Sequence, residues 1–288
     1  MSAAERTPLR RTEHLVSAAE RNGGGNVLVN AVAAELRKLL TLPSALIALA
    51  LGGAATLGFA AMSAGSMRGK LDAGDPTALA YTTPTEVGFD LVPMGAIGTI
   101  ILGVVAISSE YASNSKDVGG GRQLPASLAC VPRRGVLLAA KTIALLLVAG
   151  VFAAVTIPAT VLLSQLLLGP HAEPLGEVAA ALGWRAAGGV VYWVLMSVLA
   201  FAVTVLTRSA ILPLIAFIAN LTVVSVTFLL TRLTPVANYL PDVAGAGMLG
   251  VFEPTEGMLD PVPGGLVMAA WAAGLLAVAT VAFTRRDV

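Results

Sequence analysis

Residues 142–170 read TIALLLVAGVFAAVTIPATVLLSQLLLGP, a run of twenty-nine residues without one charged side chain. A helix that spans a bilayer needs about 20 mostly apolar residues. This stretch alone can cross a hydrocarbon core, with length left over for tilt or for a kink at Pro158. Five further runs share its character: Ala45 to Ala64, Leu91 to Ser109, Ala186 to Thr207, Ser209 to Thr231 and Pro261 to Thr284, none of them charged. A charge at mid-membrane costs about 2.5–3.5 kcal/mol on insertion scales, so its absence from all six runs fits helices embedded in lipid. The runs are rich in Ala, Gly, Leu and Val, and small residues allow transmembrane helices to approach closely. Strands of a membrane barrel would be about 10 residues long and alternate in polarity, which these runs do not. The predicted fold class is therefore all-α and integral to the membrane, with six transmembrane helices.

The whole chain agrees. Of its 288 residues 56% are hydrophobic and 12% charged, and the mean hydropathy is +0.83. Soluble domains carry about 25% charged residues, and a chain with this much apolar surface does not stay disordered. The net charge of +1 provides no basic field for nucleic acid. One cysteine, Cys130, excludes a disulfide framework, and two distant histidines, His14 and His171, do not suggest a metal site. Residues 1–25 contain both signs of charge, no apolar core, and end in Gly23-Gly24-Gly25. They read as a polar, disordered tail rather than a signal peptide, ahead of a transmembrane domain over 26–288.

Six spans put both termini on one side. That side collects fourteen Lys and Arg residues, in 1–44, 110–141, 207–209 and 285–288; the other side has four. The positive-inside rule places both termini in the cytoplasm. The outer loops hold ten acids, including Asp72, Asp90, Asp242 and Asp260.

Two inner segments have individual character. Asn26 to Leu42 places Leu28, Val32, Leu36, Leu39 and Leu40 at helical spacing, with Asn30, Glu35, Arg37 and Lys38 mainly on other faces, and Pro43 ends it. Such a helix lies in the membrane interface, either as an anchor whose Arg37 and Lys38 meet anionic lipid or as a docking lever for a cytoplasmic partner. The 110–141 loop is broken by Gly119, Gly120 and Gly121. Gln123 to Val131 can form a short helix, with Pro125 tolerated in its first turn and Pro132 closing it before Arg133 and Arg134. The segment either passes force from a soluble partner to the bundle or is a basic topogenic loop. Asn220, the most polar residue inside any run, either lines a translocation path or makes an interhelical hydrogen bond.

Signatures of independent chemistry are missing. Gly65 to Leu71 has the wrong spacing for a P-loop, and no GK[ST] follows Gly119 to Gly121. No HExxH or GxSxG motif occurs. Glu253 and Glu256 stand three residues apart but among Pro254, Gly257 and Pro261, as solvated loop acids do. The runs also lack the Asp, Glu, Lys or Arg of many ion-coupled carriers. If the chain transports actively, the energy is expected to come from another chain.

AELRKLLTLPS at 34–44, SSEYASNSK at 108–116 and LPASLACVPRRGVLLAAK at 124–141, in this order and topology, resemble the membrane subunit of a type-2 ABC exporter, the permease kind encoded apart from its ATPase. The resemblance covers about Asn26 to Arg286. It implies an interfacial elbow helix over Asn26 to Leu42 with Glu35, Arg37 and Lys38, and a Glu-Tyr pair at Glu110 and Tyr111 ending span two. It also implies a coupling helix contacting the ATPase through Gln123, Leu124, Pro125, Val131, Pro132, Arg133 and Arg134. Lys116 to Arg122 is an insertion relative to that pattern. A re-entrant outer element is implied between spans five and six, where Asn238 to Met248 is suitably apolar. The expected protein is a non-enzymatic half-transporter in the bacterial cell membrane. It would pair with a second copy or a similar permease, and be driven by two ATPase subunits that hold the ATP and Mg. Its cargo would be amphipathic or lipophilic, with no cofactor on this chain. The alternatives are a receptor-like or assembly subunit and an ion-coupled secondary carrier.

Overall fold

The computed structural model describes residues 27–80, 82–111, 113–114, 121–122, 133–222, 225–251 and 257–285. Among them the chain is mostly helical, with turns within 73–80 and 82–91 and one two-residue ladder. A first helix, α1, covers 27–41. Five helices are long and apolar enough to cross a membrane: α2 (Pro43–Asp72), α3 (Val92–Tyr111), α4 (Arg134–Leu168), α6 (Trp184–Thr207) and α10 (Pro261–Arg285). The protein is thus a multi-pass membrane protein. At about 1.5 Å per residue, the 20 residues of α3 match a hydrocarbon core, whereas the 35 of α4 exceed it. Pro158 lies inside α4 without ending it.

Shorter pieces complete the chain: α5 (Leu175–Leu182), α7 (Ile211–Thr222), α8 (Val226–Thr231) and α9 (Pro241–Ala246), with 3-10 turns at Gly169–His171 and Pro235–Tyr239. The strands β1 (Ser113–Asn114) and β2 (Gly121–Arg122) pair antiparallel, Ser113 opposite Arg122. This ladder was not expected; it brings together the two ends of the stretch that contains the Lys116 to Arg122 insertion.

The run Ser209 to Thr231, expected as one span, is built as two helices. The 12 residues of α7 reach only about 18 Å. Polar side chains explain why the second helix starts afresh. Ser225 N-caps α8 and its Oγ accepts from the Phe228 N–H. Asn220 Oδ1 accepts from the Thr227 N–H at 3.2 Å. Two of the amides left open at a helix start are thereby satisfied.

Two apolar clusters mark the ends of the bundle. One gathers Phe89, Val92, Leu182, Tyr192, Trp193 and Met268; the other gathers Leu39, Ala45, Ile107, Leu138, Val205 and Phe283. We call these the Asp90 end and the Glu110 end. Helices α6 and α10 both finish at the Glu110 end, so the chain between them, residues 208–260, returns to the Asp90 end through α7 and α8. Small residues bring the long helices together. A Cβ on Gly52 of α2 would lie 2.5 Å from Gly98 Cα of α3, and one on Gly103 of α3 would lie 2.2 Å from the Ser197 carbonyl oxygen of α6. Many apolar side chains, such as Met62, Val151 and Leu166, instead face outward, as lipid-facing residues do.

Candidate functional site

At the Glu110 end, three helices meet in a buried ionic cluster. Lys141, in the second turn of α4, is 1% exposed and donates from Nζ to Glu35 Oε2 of α1 at 2.7 Å and to Glu110 Oε1 of α3 at 2.7 Å. Lys38 of α1 donates to the same Glu110 oxygen. Glu110 itself is fully buried. Two carboxylates and two ammonium groups make the cluster neutral. Burying ions is costly, and mutual pairing with good hydrogen bonds is what makes it tolerable.

The cluster departs from the amphipathic reading of α1 at Glu35 and Leu40. The side turned toward the bundle carries Ala31, Glu35 and Leu39, with Glu35 only 8% exposed, whereas Leu40 is exposed. The physical reason is Lys141, which gives Glu35 a partner inside, so that one acid joins the inward side while most of the apolar stripe stays at least half-buried. Arg37 remains exposed, and its carbonyl accepts from Thr41 Oγ1 at 2.8 Å. Glu35, Lys38 and Glu110 were candidates from the sequence and are brought together. Lys141 was missed, because the apolar run was counted from Thr142 whereas α4 begins at Arg134. Glu110 and Lys141 lie just outside the uncharged runs 91–109 and 142–170, but within the helices that contain those runs. Their signal was positional, one acid and one base each within a turn of an apolar run.

Tyr111 follows Glu110 as the last residue of α3, packed beside the apolar cluster of that end. Arg133 is the exposed N-cap residue of α4 and Arg134 is half-buried in its first turn. Gln123, Leu124, Pro125, Val131 and Pro132 lie outside the described residues, as do residues 1–26.

The Asp90 end holds a second polar constellation. Asn220 Nδ2 donates to Asp242 Oδ2 at 2.7 Å and to Thr227 Oγ1 at 3.0 Å, and the Thr227 hydroxyl also donates to Asp242. Asn220 therefore joins α7, α8 and the first turn of α9. The Asn220–Asp242 pair borders two cavities. One, of 350 Å³, is also walled by Asp90, Met94, Tyr192 and Phe228; the other, of 520 Å³, by Met196, Ile215 and Phe217. Asp90 Oδ1 accepts from the Gly88 N–H at 2.9 Å, and burial pushes the Asp90 carboxyl above the ordinary carboxylate range. Both aspartates read in the sequence as loop acids. Only their return to the bundle in three dimensions distinguishes them.

Arg185 holds this end closed from the side. Its guanidinium donates to Glu86 at 2.5 Å, to the Leu249 carbonyl at 2.8 Å and to the Gly250 carbonyl at 2.9 Å, and lies 5.4 Å from the Phe89 ring centre. Gly250 has φ +58, and a Cβ there would approach Arg185 Nε to 3.0 Å, so a glycine suits both the backbone and the guanidinium. The stretch Asn238 to Met248 is occupied by the end of the 3-10 turn and by α9, whose Ala244 carbonyl sits where a Cβ on Gly264 of α10 would come within 2.2 Å.

No family model matches the chain, and no curated protein matches it.

Proposed function

We propose that this chain is the membrane subunit of an ATP-driven exporter of the type-2 ABC kind, moving an amphipathic or lipophilic substrate out of a bacterial cytoplasm. The observation that carries the reading is the Glu35–Lys141–Glu110–Lys38 cluster. A force-receiving helix outside the bundle is useful only if it is mechanically joined to the spans, and here α1 is joined by buried ion pairs to the inner ends of α3 and α4. The basic bias of the sequence puts this end, and both termini, in the cytoplasm. In this reading α1 is the elbow helix, α7 and α8 together form the fifth crossing, and α9 with its 3-10 turn is the re-entrant outer element. The 123–134 segment is the coupling helix, with Arg133 and Arg134 at its end. ATP and Mg belong to the two partner ATPase subunits, and the chain pairs with a second permease. ATP-driven closure of the ATPases then favours one bundle state over another by a coupling free energy.

The test is purification of the chain with its ATPase, reconstitution, and measurement of cargo-stimulated hydrolysis. Arg133→Glu combined with Arg134→Glu is expected to leave the complex in the membrane, with ATP hydrolysis no longer linked to transport. Normal transport in that variant would remove the coupling assignment. An ion-coupled carrier is the second reading, favoured by the burial of Glu110 and Lys141. It predicts transport driven by a proton gradient in liposomes that contain this chain alone.

A further inference from the structure

The 350 Å³ cavity at the Asp90 end has a wall chemistry that the exporter reading does not use. Asp90, just ahead of α3, and Asp242, in the first turn of α9, border the same space. Among the described residues both carboxylates are met by neutral donors: the Gly88 and Leu91 N–H groups and the Ser63 hydroxyl for Asp90, and Asn220 and Thr227 for Asp242. Among the described residues, neither is paired with a cation. The remaining wall is mostly apolar and aromatic, with Met94, Tyr192 and Phe228 prominent. Partly dehydrated carboxylates without a counter-charge are unfavourable, and a cation entering the cavity relieves both.

The wall also says which kind of cation. A hard metal ion takes six or more oxygen ligands, and two aspartates on an apolar wall do not provide that number. An organic cation matches both halves of the site: its charge meets the carboxylates, and its hydrocarbon body meets Met94 and the rings, which themselves favour a neighbouring cation. The volume falls within the usual range of about 300–1,000 Å³ for small-ligand pockets. We propose that this cavity binds a lipophilic organic cation, its charged head between Asp90 and Asp242 and its apolar body against Met94, Tyr192 and Phe228. The site is defined on this chain alone, so its failure leaves the exporter reading standing; if both hold, it names the cargo class.

The experiment uses the full chain in nanodiscs of zwitterionic lipid, with empty discs as the reference. Phenylbutyltrimethylammonium is the probe, and phenylbutanol and phenylbutanesulfonate carry the same body with no charge and the opposite charge. The expected result is saturable binding of the ammonium, tighter than either counterpart by about tenfold or more, as loss of a charge-assisted contact implies. Asp90→Asn and Asp242→Asn each weaken it by about tenfold. Ala246→Phe, which fills the cavity from α9 and keeps both carboxylates, abolishes it. Should Asp242→Asn unfold the chain through its contacts to Asn220 and Thr227, Asp90→Asn and Ala246→Phe decide the matter. No saturable binding above empty discs, equal affinity for the sulfonate, or unchanged affinity in Asp90→Asn and Ala246→Phe overturns the proposal.

Discussion

Lys141 is the residue on which most depends. It is buried, and its ammonium bridges two carboxylates on different helices. Lys141→Met keeps the length and the apolar stem but removes the ammonium that pairs with Glu35 and one of the two that pair with Glu110. Removing one member of a buried pair costs about 3–5 kcal/mol, so the purified variant should unfold in detergent at a clearly lower temperature. A second loss in Glu35→Gln should cost less in the Lys141→Met background than alone, because the interaction is already gone; additive losses would show that the two side chains do not act as a pair. At the other end, Arg185→Leu removes three hydrogen bonds and a ring contact. Hydrogen bonds to a charged group contribute about 1.5–3 kcal/mol each at best. Faster amide exchange is expected at 86–92 and 247–251 while α4 stays protected. Unchanged exchange at both segments would mean that the guanidinium is not what holds them.

The helices differ in how openly the sequence announces them. Five of the six apolar runs become single long helices, because an uncharged stretch of that length has one good solution in lipid. Their ends were less legible. α4 begins eight residues before the apolar run, since Lys141 and its neighbours continue the helix once Glu35 and Glu110 neutralise the charge. The Ser209 to Thr231 run hid its break, because hydropathy sums over Asn220, Ser225 and Thr227 without noticing that they cap a new helix start. Nor could local reading find Asp242, the partner of Asn220 twenty-two residues away. Helix packing gives a prediction at this scale. A Cβ at Gly103 would sit 2.2 Å from the Ser197 carbonyl, whereas nothing lies within 4 Å of one at Gly58. Gly103→Ala should therefore lower thermal stability and yield in detergent, and Gly58→Ala should be neutral or slightly stabilising through its better helix propensity, about 1 kcal/mol. Equal behaviour of the two variants would show that α3 and α6 are not packed this closely.

At the level of the whole molecule, the charges collect at the two ends and the middle is joined by small residues and apolar contacts. The orientation is checked with single cysteines in a chain whose Cys130 has been replaced. An impermeant maleimide should label Ser209→Cys only from the cytoplasmic face and Asp75→Cys only from the opposite face, in inverted and right-side-out vesicles. The reverse pattern would put the ionic cluster outside and defeat the exporter proposal. The position along the chain of the five long helices followed from hydropathy, but which charges would be drawn inside did not. That choice was made by partners brought near only on folding, as with Glu35 and Lys141, 106 residues apart.

Both ammonium groups of the cluster converge on one oxygen atom of Glu110, while Glu35 belongs to Lys141 alone. The linkage is therefore asymmetric, like a latch with a single pin. Neutralising Glu110 would weaken both of these ion pairs of α3 in one event, yet leave the Glu35–Lys141 pair between α1 and α4 charged. Charge at that one carboxylate therefore bears on two helix pairings at once, whereas charge at Glu35 bears on one.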